Sequence, residues 1–234
     1  MKQFVVGTAL LVFVWSLPTR ATNDHHTIIL EPLAGVHKAA FEQFFGDTLP
    51  PIGYVQFCEL HKSDCRPSRI FADAIQLTDR KFTELKEVNN QVNTTVAPMG
   101  DLEHYGKIDW WTYPVDNKGD CEDYVLEKRR RLMEHGWPES TLLITVVRDE
   151  NNEGHAVLTV RTDEGDLILD NKRNEIVNWA DTPYIFAKAQ SQRDPALGLA
   201  ASSELYTAAD RIGLEQPLRL DIARCSCTPR SGLH

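Results

Sequence analysis

From Thr78 the chain repeats apolar residues at helical spacing, Phe82, Leu85, Val88 and Val92, with Lys and Glu between them. This spacing predicts an amphipathic helix opened at Thr78. A second helix is predicted over residues 120–135: Asp120 stands at the N-cap, Glu122 and Asp123 fall in the first turn, and Gly136 followed by Trp137-Pro138 stops it. Tyr124, Val125, Leu132 and Met133 supply its apolar face, with Arg129-Arg130-Arg131 read as its solvated side. The period then changes. Leu142–Arg148 and residues 155–161 are β-branched runs joined by a polar hairpin turn, and residues 162–165 turn into a third run, 166–170. A helix followed by a three-strand antiparallel meander predicts an α+β fold. Residues 22–77 read as loop-rich around Pro50-Pro51 and Gly53, and residues 97–119 as polar and turn-rich. Trp110 and Trp111, in that second stretch, read as core or cleft wall.

The first residues stand apart from this pattern. Lys2 gives a positive start, residues 4–15 form an apolar run, and Thr19-Arg20-Ala21 follows Pro18. The run is short for a membrane span and its flank suits cleavage after Ala21, so residues 1–21 are expected to be a secretory signal peptide and the protein periplasmic or secreted. Residues 22–195 are then the functional domain, and residues 196–234 a C-terminal extension of unassigned role, with a short helix expected over 203–212. Apolar residues make up 42% and charged residues 25% of the 234, which fits a packed core. Removing Lys2 and Arg20 with the leader moves the formal charge from −9 to about −11. With no basic stripe, nucleic acid is a poor partner.

Five cysteines remain to be placed in an oxidising compartment. Cys58 and Cys65 suit a local disulfide better than a zinc knuckle, for which only His61 stands nearby. Cys225 and Cys227 lie near the end with no assigned state. Cys121 is left over, and an odd cysteine in an exported chain calls for an explanation.

Cys121 opens the second helix, where unpaired backbone N–H groups and the positive helix end favour a thiolate, while Glu122 and Asp123 oppose one. His155 opens a strand and Asp170 ends the next. If the two strands are adjacent, Asp170 can accept from one imidazole nitrogen while the other faces the sulfur, as nucleophilic catalysis requires. Taken singly, each residue has a plainer reading as a buried cysteine, a strand histidine and a turn aspartate.

The ordered motifs Gly119-Asp120-Cys121-Glu122-Asp123-Tyr124, Gly154-His155-Ala156-Val157-Leu158 and Leu169-Asp170-Asn171 resemble the bacterial transglutaminase-like cysteine peptidase family, which includes the LapG-like periplasmic proteases. Asp109-Trp110-Trp111 and the stretch from Pro51-Ile52-Gly53 to Cys65 are similar too. Beyond Asp194-Pro195 the likeness fades. The resemblance implies a papain-like, transglutaminase-like core, with the nucleophile at a helix N-terminus packed on an antiparallel sheet that carries His and Asp. It implies an endopeptidase acting on a protein or peptide substrate, such as a surface adhesin, with Cys121, His155 and Asp170 as the catalytic triad and with room for a membrane-bound regulator. It also implies a calcium site at Asp120, Glu122 and Asp123, acids whose oxygens suit a hard cation; no organic cofactor is expected. Two alternatives use the same residues differently: an amide-bond enzyme of transglutaminase or cell-wall type, and a calcium-dependent binding or regulatory protein without catalysis. Nothing in the sequence encodes the scissile bond or the oligomeric state.

Overall fold

The computed structural model describes residues 41–44, 46–67, 70–195 and 198–200. The expected signal peptide, the 203–212 helix, and Cys225 and Cys227 lie outside the described residues. In chain order the elements are β1 (Gly46–Thr48), α1 (Ile52–Leu60), α2 (Asp79–Thr95), β2 (Ala97–Pro98), α3 (Asp101–Tyr105), β3 (Lys118–Gly119), α4 (Cys121–Glu134), β4 (Leu142–Arg148), β5 (Gly154–Thr162), β6 (Gly165–Leu169), β7 (Val177–Asn178), β8 (Ile185–Gln190) and β9 (Gly198–Ala200).

The expected meander β4–β5–β6 forms the middle of a larger sheet ordered β1-β9-β8-β4-β5-β6-β7, antiparallel at every pairing. Side chains alternate across it, as the pleat dictates. Val146, Ala156, Leu158, Val160 and Leu169 join the core beneath the helices, whereas Val147, Val157 and Ile168 join Tyr184 and Phe186 on the opposite face. Helix α4 lies on β5, and α2 lies on α4. Leu85, Val88 and Val92 of α2 are buried at the predicted spacing, and Thr78 caps that helix by accepting from Lys81 N at 3.3 Å.

Three expectations change. The stretch read as loop holds α1, whose Gly, Val and aromatic residues are poor helix formers. Tertiary contacts carry this helix: Tyr54 and Phe57 are buried, Tyr54 packs edge-on to Trp111, and the expected Cys58–Cys65 disulfide pins its end. Asp120 holds the N-cap position of α4 without capping it, because its carboxylate turns toward α3. The arginine run is not uniformly solvated. Arg129 is buried, donates to the Leu142 carbonyl at 3.2 Å and pairs with Glu139 at 2.5 Å.

Candidate active site

Cys121, His155 and Asp170 are brought together by three elements that the sequence places far apart. Cys121 is the first residue of α4 and is fully buried. The β5–β6 ladder ends at the pair Leu158–Leu169, and beyond that end the Ala156 N–H donates to Cys121 Sγ at 3.1 Å. The nucleophile candidate is thereby held against the residue that follows His155.

His155 is fully buried near the start of β5, with Nε2 2.9 Å from Asp170 Oδ1. Its Nδ1 is buried with no hydrogen-bond partner among the described residues, so one ring nitrogen is committed to the carboxylate and the other is open. Tyr184 packs edge-on to the imidazole at 5.6 Å between ring centres. Asp170, one residue past β6, gathers further donors. The backbone N–H of Lys172 reaches Oδ1 at 2.9 Å, the Tyr184 hydroxyl donates to Oδ2 at 2.5 Å, and Arg173 Nε lies 3.4 Å from Oδ2. Burial alone would raise this carboxyl, but the hydrogen bonds and charge of its partners, His155 first, hold it well below the usual carboxylate range. It is therefore ionised, accepts from Nε2–H, and fixes the tautomer that leaves Nδ1 as an acceptor. Asn93 of α2 anchors the Asp170 carbonyl at 2.9 Å.

Beside the sulfur lies a second constellation. Asp101, Asp120 and Glu122 each offer a carboxylate oxygen within 4.8 Å of the others, and all three are buried. Glu122 Oε2 is 3.3 Å from Cys121 Sγ. Asp101 N donates to Asp120 Oδ2 at 3.3 Å, and Trp110 N donates to Asp101 Oδ2. Asp101 Oδ1 and Asp120 Oδ1 are buried and accept no hydrogen bond among the described residues. Of the three acids expected from sequence, Asp120 and Glu122 join this group and Asp123 does not. Asp123 Oδ1 takes the Thr112 N–H at 2.9 Å, and a side chain on Gly119 would stand 2.5 Å from its Oδ2. Asp101 takes its place in the group. Burial pushes all of these carboxyls up, and for Asp101, Glu122 and Asp123 the charge of Asp120 adds to it: Asp101 is raised to about 7 and Asp123 to about 9, with Asp120 and Glu122 also raised. So many acids cannot all ionise together in a dry site without a counter-charge.

Trp111 is buried, as the core reading required, and its indole N–H donates to Asp109 Oδ1 at 2.8 Å. Sequence reasoning missed Asp101, Tyr184 and Arg173. Asp101 lies 19 residues before Asp120 and Tyr184 lies 14 after Asp170, and no local period links either to the site.

A model of the family described as "Bacterial transglutaminase-like cysteine proteinase BTLCP" matches residues 45–203. Among solved structures, calcium-bound LapG of Legionella pneumophila is similar at 24% identity over 58% of this chain and 82% of that one, with a TM-score of 0.45. The EGTA-treated form of the same protein gives 28% identity over 54% and 70%, with a TM-score of 0.44. No curated protein matches.

Proposed function

The chain belongs to the bacterial transglutaminase-like cysteine proteinase family, and we propose that it is an exported endopeptidase that opens a peptide bond of a protein substrate with Cys121, His155 and Asp170. The observation that carries the triad is the imidazole fixed by Asp170 through Nε2, with Nδ1 open and Cys121 held against Ala156. Hydrolysis begins from the reduced thiol. His155 Nδ1 takes the thiol proton, and the sulfur attacks the scissile carbonyl carbon. Negative charge on the carbonyl oxygen is met by backbone N–H groups at the start of α4, Cys121 included. The imidazolium then gives its proton to the leaving amine, and the thioester is released by a water that His155 deprotonates. Asp170 stabilises the imidazolium while remaining ionised.

Asp120 and Glu122, with Asp101, would hold calcium: hard carboxylate oxygens, buried and short of partners, suit that ion. Bound there, it supplies positive charge where Glu122 and Asp123 otherwise oppose a thiolate. Export rests on the N-terminal apolar run and agrees with the Cys58–Cys65 disulfide.

The test is to incubate the reduced, calcium-supplemented protein with the exported and surface proteins of its own cells, and to map new termini by mass spectrometry. New cleavages that disappear in Cys121→Ala are expected. The same fragments from both proteins would overturn the assignment.

A further inference from the structure

We propose that the ion pair Asp149–Lys172 is a clamp that positions His155 against Asp170, by tying the β4–β5 turn to the turn that follows β6. The clamp rests on the triad reading above and adds two positioning residues that act through other groups. The histidine and the aspartate sit where the sheet stops spacing its own strands. Strand β5 pairs with β4 as far as Gly154, but its ladder with β6 ends at Leu158–Leu169. Continued three steps further, that register would set Lys172 opposite His155. No such pair forms among the described residues, so the backbone ladder does not fix the distance between His155 and Asp170.

Lys172 closes this end of the sheet by other means. Its backbone N–H donates to Asp170 Oδ1 at 2.9 Å, the oxygen that also takes His155 Nε2–H. Its ammonium reaches Asp149 Oδ2 at 2.7 Å, and the two side chains are only 11% and 1% exposed. A charge-assisted bond kept from water is short, strong and fixed in direction. Asp149 is in turn built into the hairpin, with Oδ1 taking the N–H groups of Asn151 and Glu153, each at 2.9 Å. Burial alone would raise this carboxyl, but Lys172 and those two N–H groups lower it, so it stays charged. Glu153 lies two residues before His155. One lysine therefore joins the acid, through its backbone, to the loop that leads into the histidine, through its side chain. Asn93 of α2 holds the Asp170 carbonyl at 2.9 Å, so the turn is gripped from both sides.

Asp149→Asn and Lys172→Met break the ion pair from either end and spare the other bonds. The amide oxygen still serves Asn151 N and Glu153 N, and the backbone N–H of residue 172 still serves Asp170. Lys172→Arg keeps the charge. After mild reduction of the full chain, two readouts are taken. One is the rate at which iodoacetamide alkylates Cys121, located by peptide mass spectrometry. The other is the downfield proton resonance of His155 Nε2–H, assigned by its loss in His155→Ala. Both clamp-breaking variants are expected to alkylate at least about tenfold more slowly than wild type, the scale of a misplaced reacting group, and to lose or broaden the resonance. Lys172→Arg should stay within about twofold of wild type. A role confined to stability would lower the melting temperature and move neither readout, and that result in both variants overturns the proposal. Amide exchange in wild type needs no variant: the N–H groups of Glu153 and Lys172 should exchange as slowly as the β4–β5 ladder, and fast exchange there also overturns it. His155→Ala separates the clamp from the reading beneath it. If that variant alkylates as fast as wild type, the triad reading fails and the clamp with it, whereas a slow His155→Ala beside normal clamp variants refutes the clamp alone.

Discussion

Tyr184 and His155 share one carboxylate: the phenol donates to Asp170 Oδ2 at 2.5 Å while the imidazole donates to Oδ1 at 2.9 Å. The two rings meet edge to face, so the residue that steadies the aspartate also walls the histidine. The orientation of the His155 ring depends on an aromatic residue from beyond β7, outside the three motifs.

Replacing members of this cluster should separate rate from stability. Asp170→Ala removes the anchor of the imidazole and is expected to lower kcat on the order of 10⁴-fold, as loss of the orienting acid does in such triads. Tyr184→Phe leaves the imidazole bond in place and removes one hydrogen bond to a charged acceptor. It should cost about 1.5–3 kcal/mol of stability with a much smaller loss of rate. Thermal unfolding and the rate of Cys121 alkylation after mild reduction read the two effects. Equal rates in Asp170→Ala and wild type would remove His155–Asp170 from the mechanism.

Lys128 predicts an unusual pH profile. It is fully buried on α4, its Nζ makes no hydrogen bond among the described residues, and the Tyr124 ring centre is 5.9 Å away. Burial pulls its ammonium from 10.5 down to about 7, against an opposing pull from Asp170. The folded value lies below the unfolded one, so the unfolded chain binds more protons between the two. Stability therefore rises with pH from about 7 toward 10.5 on account of this residue, by up to about 1.4 kcal/mol per pH unit. Lys128→Met should be more stable than wild type at pH 7 and should lose that rise. Urea unfolding at pH 7 and pH 9 measures it, and an unchanged pH slope in the variant refutes the assignment.

Gly53 is predicted to be intolerant for lack of space. A methyl group there would stand 2.2 Å from Trp111 Cδ1 and 2.8 Å from Asp109 Oδ1, while the Gly53 N–H donates to Asp109 Oδ2 at 3.1 Å. Gly53→Ala is expected to destabilise by about 1–3 kcal/mol, the usual cost of overpacking a filled core. Denaturant unfolding followed by tryptophan fluorescence would show it. A midpoint equal to wild type would mean that α1 and Trp111 do not pack this closely.

Helices α2 and α4 and the strands β4, β5 and β6 were legible because each carries its own period, and the pairing of His155 with Asp170 followed from two adjacent strands. Helix α1 was not. Its residues disfavour helix, and the contacts that hold it, Trp111 and the Cys58–Cys65 bridge, lie elsewhere in the chain. The N-cap at Asp120 was correct in position and wrong in bonding, because Asp101 competes for the same carboxylate from a distant segment.

The sequence by itself determined the chemistry available: a cysteine at a helix start, a histidine and an aspartate on successive strands, and acids packed around the thiol. These are properties of residue type and short spacing, which a linear chain carries in full. Tertiary structure decided which groups are dry, which oxygens lack donors, and which residues from afar complete the cluster, namely Asp101, Tyr184 and Arg173. Burial and long-range hydrogen bonds exist only once separate elements have packed, so no window along the chain contains them.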